Sequence, residues 1–142
     1  MEISDVRRLL RSALDEARRR VTERRERKDA ASRAWEQVLP DVAVPAFHLV
    51  ASALTGEGLR FKVSTPGNAV RLVPERGGEE FIELALDTEG DDPSLTLRSA
   101  RARGRRAVSS ERPLRAAEAI AGLTEEDVVT ALLEELVPFI ER

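Results

Sequence analysis

From residue 3 to residue 39 the chain contains neither glycine nor proline. A run of that length with no backbone breaker, and with apolar residues three and four apart, predicts one long helix. Ser4 is placed to cap its start, with Asp5 in the first turn where the helix dipole favours an acid. Pro40 is expected to stop it. The residues Ile3, Val6, Leu10, Ala13 and Ala17 follow the alternation of a coiled-coil seam, and Leu9, Leu14 and Val21 widen that stripe. The same register then meets Arg20, Arg24 and Arg27 before it returns to Ala31, Ala34 and Val38, with Trp35 beside them. The helix is therefore apolar at both ends and polar between.

About 35 helical residues span roughly 50 Å, more than the width of the domain that the remaining chain can build. Ala31 to Leu39 is expected to pack on that domain, while Ile3 to Val21 reaches a partner, most simply a second copy. This divides the chain into an arm, residues 1–39, and a globular part, residues 40–142. Ile3, Val6, Leu10, Ala13, Leu14, Ala17 and Val21 are the expected dimerisation residues.

The polar middle reads EARRRVTERRERKDA, with seven bases and four acids. Asp15–Arg19, Glu16–Arg20, Glu23–Arg27 and Asp29–Arg33 are acid-to-base pairs four apart, the orientation that supports an exposed helix. Each contributes only about 0.2–0.5 kcal/mol. They also occupy arginines that a phosphate would use, and no aromatic lies in the stretch to stack a base. A solvated helix face is the plainer account.

Beyond Pro40, Pro45 opens a short helix with Phe47, Val50 and Leu54 on one face, ended by Thr55-Gly56-Glu57-Gly58. Alternating runs follow. Leu59, Phe61 and Val63 mark a first strand, and TPGN offers Pro66 and Gly67 to a type II turn. Val70 and Leu72 mark a second, closed by Pro74 and Gly77-Gly78. Ile82, Leu84 and Leu86 mark a third, and Leu95 with Leu97 a fourth. The alternation slips to Ala100 and Ala102, which predicts a bulge or strand end near Ser99. Gly104 turns the chain into a weak fifth strand, RRAVSS.

Pro113 is expected to open a short helix closed by Gly122. Thr124 caps a last helix with Val129, Leu132, Leu133 and Leu136 on one face. Pro138 is expected to end or kink it, with Phe139 and Ile140 folding back. The fold class is α+β: an antiparallel meander of four to five strands, covered on one face by helices from both chain ends, with a long projecting N-terminal helix. That outline is similar to many small bacterial chaperone and adaptor proteins.

Charge narrows the function classes. The net charge is −3 and the pI about 5.4, unlike a generic polyanion binder. Residues 1–39 carry a net +3 and residues 111–142 a net −5, so the two ends of the chain attract each other, within one molecule or between two. The absence of cysteine excludes disulfides and thiolate chemistry, and the single His48 excludes sites built on two imidazoles. No run reaches the length of a membrane span, and MEISDVRRLL lacks the apolar core of a signal peptide. A soluble, cytoplasmic protein is expected, with no membrane partner.

Arg98, Arg101, Arg103, Arg105 and Arg106 occur in RSARARGRR with no acid among them. They form the candidate partner-binding site, for an acidic protein surface or for phosphates. A charged edge hairpin kept from pairing is the bland alternative. Asp87, Glu89, Asp91 and Asp92 sit in the loop DTEGDDP, but Arg98 stands where the bidentate glutamate of an EF-hand would fall, so no metal is assigned. These acids are free to pair with the arginine hairpin. His48 is read as a partly buried helix residue, and Trp35 as the anchor of the long helix.

No Gly-x-Ser-x-Gly elbow or phosphate-binding glycine loop is present, and no cofactor is implied. The expected function is a non-enzymatic interaction protein, adaptor or chaperone-like, dimeric through its N-terminal helix and presenting the arginine hairpin to an unidentified protein. Nucleic acid, held through both arginine clusters, is the second reading. An enzyme or small-ligand binder working through carboxylates is the third.

Overall fold

The computed structural model describes residues 1–76 and 78–141. Helix α1 (Ile3–Val38) runs through one π-helical turn, Leu39–Ala43, into α2 (Val44–Gly56). Five strands follow: β1 (Phe61–Ser64), β2 (Ala69–Pro74), β3 (Phe81–Asp87), β4 (Ser94–Arg103) and β5 (Arg106–Ala116). They pair antiparallel in chain order, an uninterrupted meander. A 3₁₀ helix, Ala117–Gly122, leads into α3 (Glu125–Glu141). This is the expected α+β architecture, with one antiparallel sheet, a long N-terminal helix and a further helix at the C-terminus.

Alternation along the strands divides the sheet into two faces. Val70, Leu72, Ile82, Leu84, Leu95 and Leu97 point to the helices and are buried. Register aligns Val70 with Leu84 and Leu84 with Leu97, so the apolar rows run straight across the strands. Phe47, Val50 and Leu54 of α2 and Val128, Leu132, Leu136 and Phe139 of α3 close the core from above. Trp35 is buried among them, and its indole N–H donates to the Asn68 carbonyl at 2.6 Å.

Asn68 lies in the β1–β2 turn, at the same end of the sheet as the β3–β4 loop. Further up α1, Arg24 and Arg27 reach that loop at Asp91 (3.2 Å) and Asp92 (3.8 Å). Helix α1 thus crosses this end of the sheet. No side chain before residue 24 is buried, so its first turns project by roughly 30 Å. Helices α2 and α3 both lead away from this end. Asp127, at the start of α3, pairs with Arg115 near the end of β5, and Phe139 comes to rest beside Gly58 and Phe61.

Several local expectations are corrected. Pro40 does not stop the helix. The wider hydrogen-bond spacing of the π turn accommodates the missing N–H and ring of Pro40, and Pro45 follows directly behind that turn at the start of α2. The chain from Ile3 to Gly56 is consequently one helical run, and it contains a stretch long and apolar enough to cross a membrane. Pro40 and Pro45 hide that run in the sequence. Its apolar residues Ala46, Phe47, Val50, Ala51 and Leu54 are buried in the core.

At the N-terminus the cap is Glu2, whose N–H donates to the Asp5 carboxylate at 3.0 Å, while Ser4 lies inside the first turn. In the β1–β2 turn, Ala69 N–H donates to the Pro66 carbonyl and Gly67 takes φ +58. The turn therefore sits one residue later than the type II reading and has the primed geometry that suits hairpin twist. Of the Gly77-Gly78 stop to the second strand, Gly77 lies outside the described residues.

Strand β4 runs unbroken through Ser99, and the irregularity falls between Leu95 and Thr96 instead. Ser99 stays in the inward row because the Ser110 hydroxyl partners it at 2.7 Å. The weak fifth strand is the longest of the five, and Pro113 lies within it rather than opening a helix. An edge strand tolerates the lost donor. Pro138 neither ends nor breaks α3, which continues to Glu141 with Phe139 buried beneath it.

Candidate functional site

The β4–β5 hairpin carries the five predicted arginines but does not bring them together. Arg98 lies in the row of the sheet face turned away from the helices, where Arg71, Glu83, Arg98 and Glu111 stand opposite one another on four successive strands. Glu83 is only 5% exposed and accepts from Arg71 Nε at 2.5 Å and from Arg98 Nη2 at 2.9 Å. Both guanidinium groups also lie over the Phe81 ring, 4.1 and 5.8 Å from its centre. Arg98 is therefore engaged in the sheet and leaves the candidate partner site.

Beyond the pairing of Phe81 with Ala100 no strand among the described residues flanks β4 on that side, and the hairpin continues alone. Glu80 steps in, its carboxylate accepting the Ala102 N–H at 2.8 Å. The turn is two residues long, with Gly104 at φ +64 in its first position, the geometry that joins twisted strands. Arg103 pairs with Arg106, so these two and Arg101 share one face, with Arg105 in the turn. Among the described residues no salt bridge engages Arg101, Arg103, Arg105 or Arg106.

The acidic loop does not answer this hairpin. Asp91 and Asp92 pair with Arg24 and Arg27 of α1, at the opposite end of β4, roughly 30 Å away. The two basic clusters are separated in the same way. The acids of α3 also go elsewhere: Glu134 and Glu135 hold Arg112 at 3.1 and 2.9 Å. Among the described residues no three His, Cys, Asp or Glu side chains gather as a metal site requires.

On the projecting part of α1, Glu16 pairs with Arg20 as predicted, at 3.4 Å, and also with Arg19. The bond from Arg19 holds the Glu16 carboxyl below its ordinary range. The predicted Glu23–Arg27 pair is replaced by the Arg27–Asp92 contact, because the neighbouring loop competes for the arginine. On the same segment Ile3, Val6, Leu9, Leu10, Leu14 and Val21 are between 43% and 70% exposed, and Ala13 and Ala17 are exposed between them. The expected dimerisation residues thus form one bare apolar stripe.

A second bare apolar surface was not anticipated. Leu49, Ala53 and Leu54 of α2 face Val129, Leu133 and Ile140 of α3 across a groove of about 510 Å³, with Leu59 at one end and Glu57 at its rim. Leu49, Leu133 and Ile140 are each more than half exposed. The signal was present in α3, whose apolar positions Val128 to Ile140 cover more of the helix than one sheet can bury. His48, expected to be partly buried, is exposed beside Leu49, since α2 turns Phe47, Val50, Ala51 and Leu54 to the core.

No family model matches the chain, and no curated protein or solved structure is significantly similar to it.

Proposed function

We propose that this chain is a non-enzymatic interaction protein, a homodimer joined through the Ile3–Val21 segment of α1. Its globular part presents the Arg101–Arg106 tip to an acidic macromolecular partner, as a cytoplasmic adaptor or chaperone-like protein would. The bare stripe on the projecting helix carries the reading. Soluble monomers rarely leave a contiguous apolar surface of that kind uncovered, and a helix pushed clear of its own core has nothing in its own domain to cover it. Sedimentation equilibrium of the full chain and of a variant lacking residues 1–17 tests it. The full chain should run at twice its 15.7 kDa mass and the shortened one as a monomer. A monomeric full chain would sink the proposal.

The arginines at the hairpin tip, in no salt bridge among the described residues, favour a second reading, a nucleic-acid contact. Neutralising about four phosphates per copy should cost roughly 100-fold in affinity between about 50 and about 200 mM salt. Titration against labelled single- and double-stranded DNA and RNA reads this directly, and Arg103→Glu should abolish what binding exists. Absence of binding at the lower salt would leave an acidic protein surface as the target.

A further inference from the structure

Two apolar surfaces of one chain lie bare, and their shapes and charges are complementary. We infer that the α2–α3 groove receives the Ile3–Leu14 part of the stripe of a second copy, each copy's arm lying in the groove of the other. The inference rests on the dimer proposed above and names the surface that the arm meets.

The stripe has the width for a groove. A helix that pairs with one other helix needs only the narrow seam Ile3, Val6, Leu10, Ala13 and Ala17, and two of those five are alanines that bury little. Leu9 and Leu14 lie on the two flanks of that seam and are less covered in a two-helix contact than the seam itself. A concave site between two helices covers both flanks. Its walls run from Leu49 to Glu57 and from Val129 to Ile140, the latter about 16 Å, close to the span from Ile3 to Leu14.

Charge has the matching sense. Arg7 and Arg11 follow Val6 and Leu10 directly, and among the described residues neither has a salt bridge. The groove offers the carboxylate of Glu57 at its rim.

The contact cannot form within one chain. Helix α1 is uninterrupted and leaves past the β3–β4 loop, while the groove opens toward the far end of α2 and α3, next to Leu59. Two copies related by a twofold axis satisfy both arms at once and close the assembly.

The test uses the full-length chain with Leu10→Glu on the arm and Leu133→Glu in the groove. Both positions are more than half exposed, so each variant should keep the parent's far-UV spectrum and melt where the parent does once diluted to monomer. Sedimentation equilibrium should show each variant weakened in self-association by at least about 100-fold, since each buries an unpaired carboxylate. Because the chain has no cysteine, Leu10→Cys and Leu133→Cys chains can be mixed and oxidised as a second measurement. A disulfide joining the two different variants is expected.

If Leu133→Glu stays dimeric while Leu10→Glu dissociates, and only Leu10→Cys chains cross-link to one another, the arms pair with each other. That result overturns this inference and leaves the dimer standing. A parent chain that is monomeric at all concentrations up to about 1 mM removes both. A dimer that survives Leu10→Glu removes the arm from the interface and overturns both as well.

Discussion

Glu83 shows how much a single side chain organises on the sheet face turned away from the helices. Its carboxylate is almost fully buried, yet both neighbours that satisfy it, Arg71 and Arg98, are partly wet. Removing it leaves two cations facing each other above Phe81 with no anion between them. Glu83→Ala should therefore lower stability by about 2 kcal/mol, read as a lower urea midpoint at unchanged slope. Glu83→Gln, which keeps an acceptor but not the charge, should recover part of the loss. A change below about 0.5 kcal/mol would mean that water replaces the carboxylate without cost. The face of Glu83 is legible in the sequence, because it alternates with Ile82 and Leu84. Its partners are not, since they lie 12 residues before it and 15 after and depend on register. The same period of two separates Arg98 from Arg101 and Arg103, which adjacency in RSARARGRR conceals. Ser99 misleads in the opposite way: a polar residue in an apolar row looks like a slip until Ser110 is found opposite it.

At the scale of elements, α3 begins on a reciprocal cap. Asp127 N–H donates to the Thr124 hydroxyl at 3.1 Å, and Thr124 N–H donates to the Asp127 carboxylate at 3.0 Å. Thr124→Ala should cost about 1 kcal/mol in urea unfolding. The cap also has a pH dependence of known sign. The Thr124 backbone N–H, then its hydroxyl and the Arg115 guanidinium, hold the Asp127 carboxyl below its ordinary value of 3.8. A carboxyl with a depressed folded value contributes its full stabilisation above the unfolded value, and that contribution fades as the pH falls below it. Acid unfolding of the parent should therefore steepen below about pH 4 relative to Asp127→Asn. An identical acid limb in both proteins would refute the role of this carboxyl. The Thr124 cap was legible because the sequence carries the signal within one turn. Prolines were less so. Pro40 and Pro138 each satisfy the rule for a helix stop, but a π turn in one case and the buried Phe139 in the other keep the chain helical. A change in local backbone geometry resolves the conflict at Pro40, and tertiary packing outweighs the local preference at Pro138.

For the whole molecule, the buried core and the bare apolar stripe of α1 lie in different parts of one chain. Every buried apolar residue lies at or beyond Ala31, so the variant lacking residues 1–17 should unfold within about 0.5 kcal/mol of the parent when both are monomeric. A much larger loss would mean that the arm supports the domain directly. The long helix and its apolar stripe were readable from the sequence because a 3.6-residue period over many turns is a strong signal. The groove was not, because it exists only where two separately readable helices fail to close over each other. The manner in which α1 is seated has one more consequence, and it is mechanical. Some 48 Å of rigid helix separates Ile3 from Trp35, so a rock of one degree about the indole swings the tip through roughly 0.8 Å. Beside the buried packing of Ala31, Trp35 and Val38, that lever is restrained by two solvent-facing pairs, Arg24–Asp91 and Arg27–Asp92. Contacts of that kind loosen as ionic strength rises, so salt should widen the swing of the tip while the buried packing that seats the helix is unaffected.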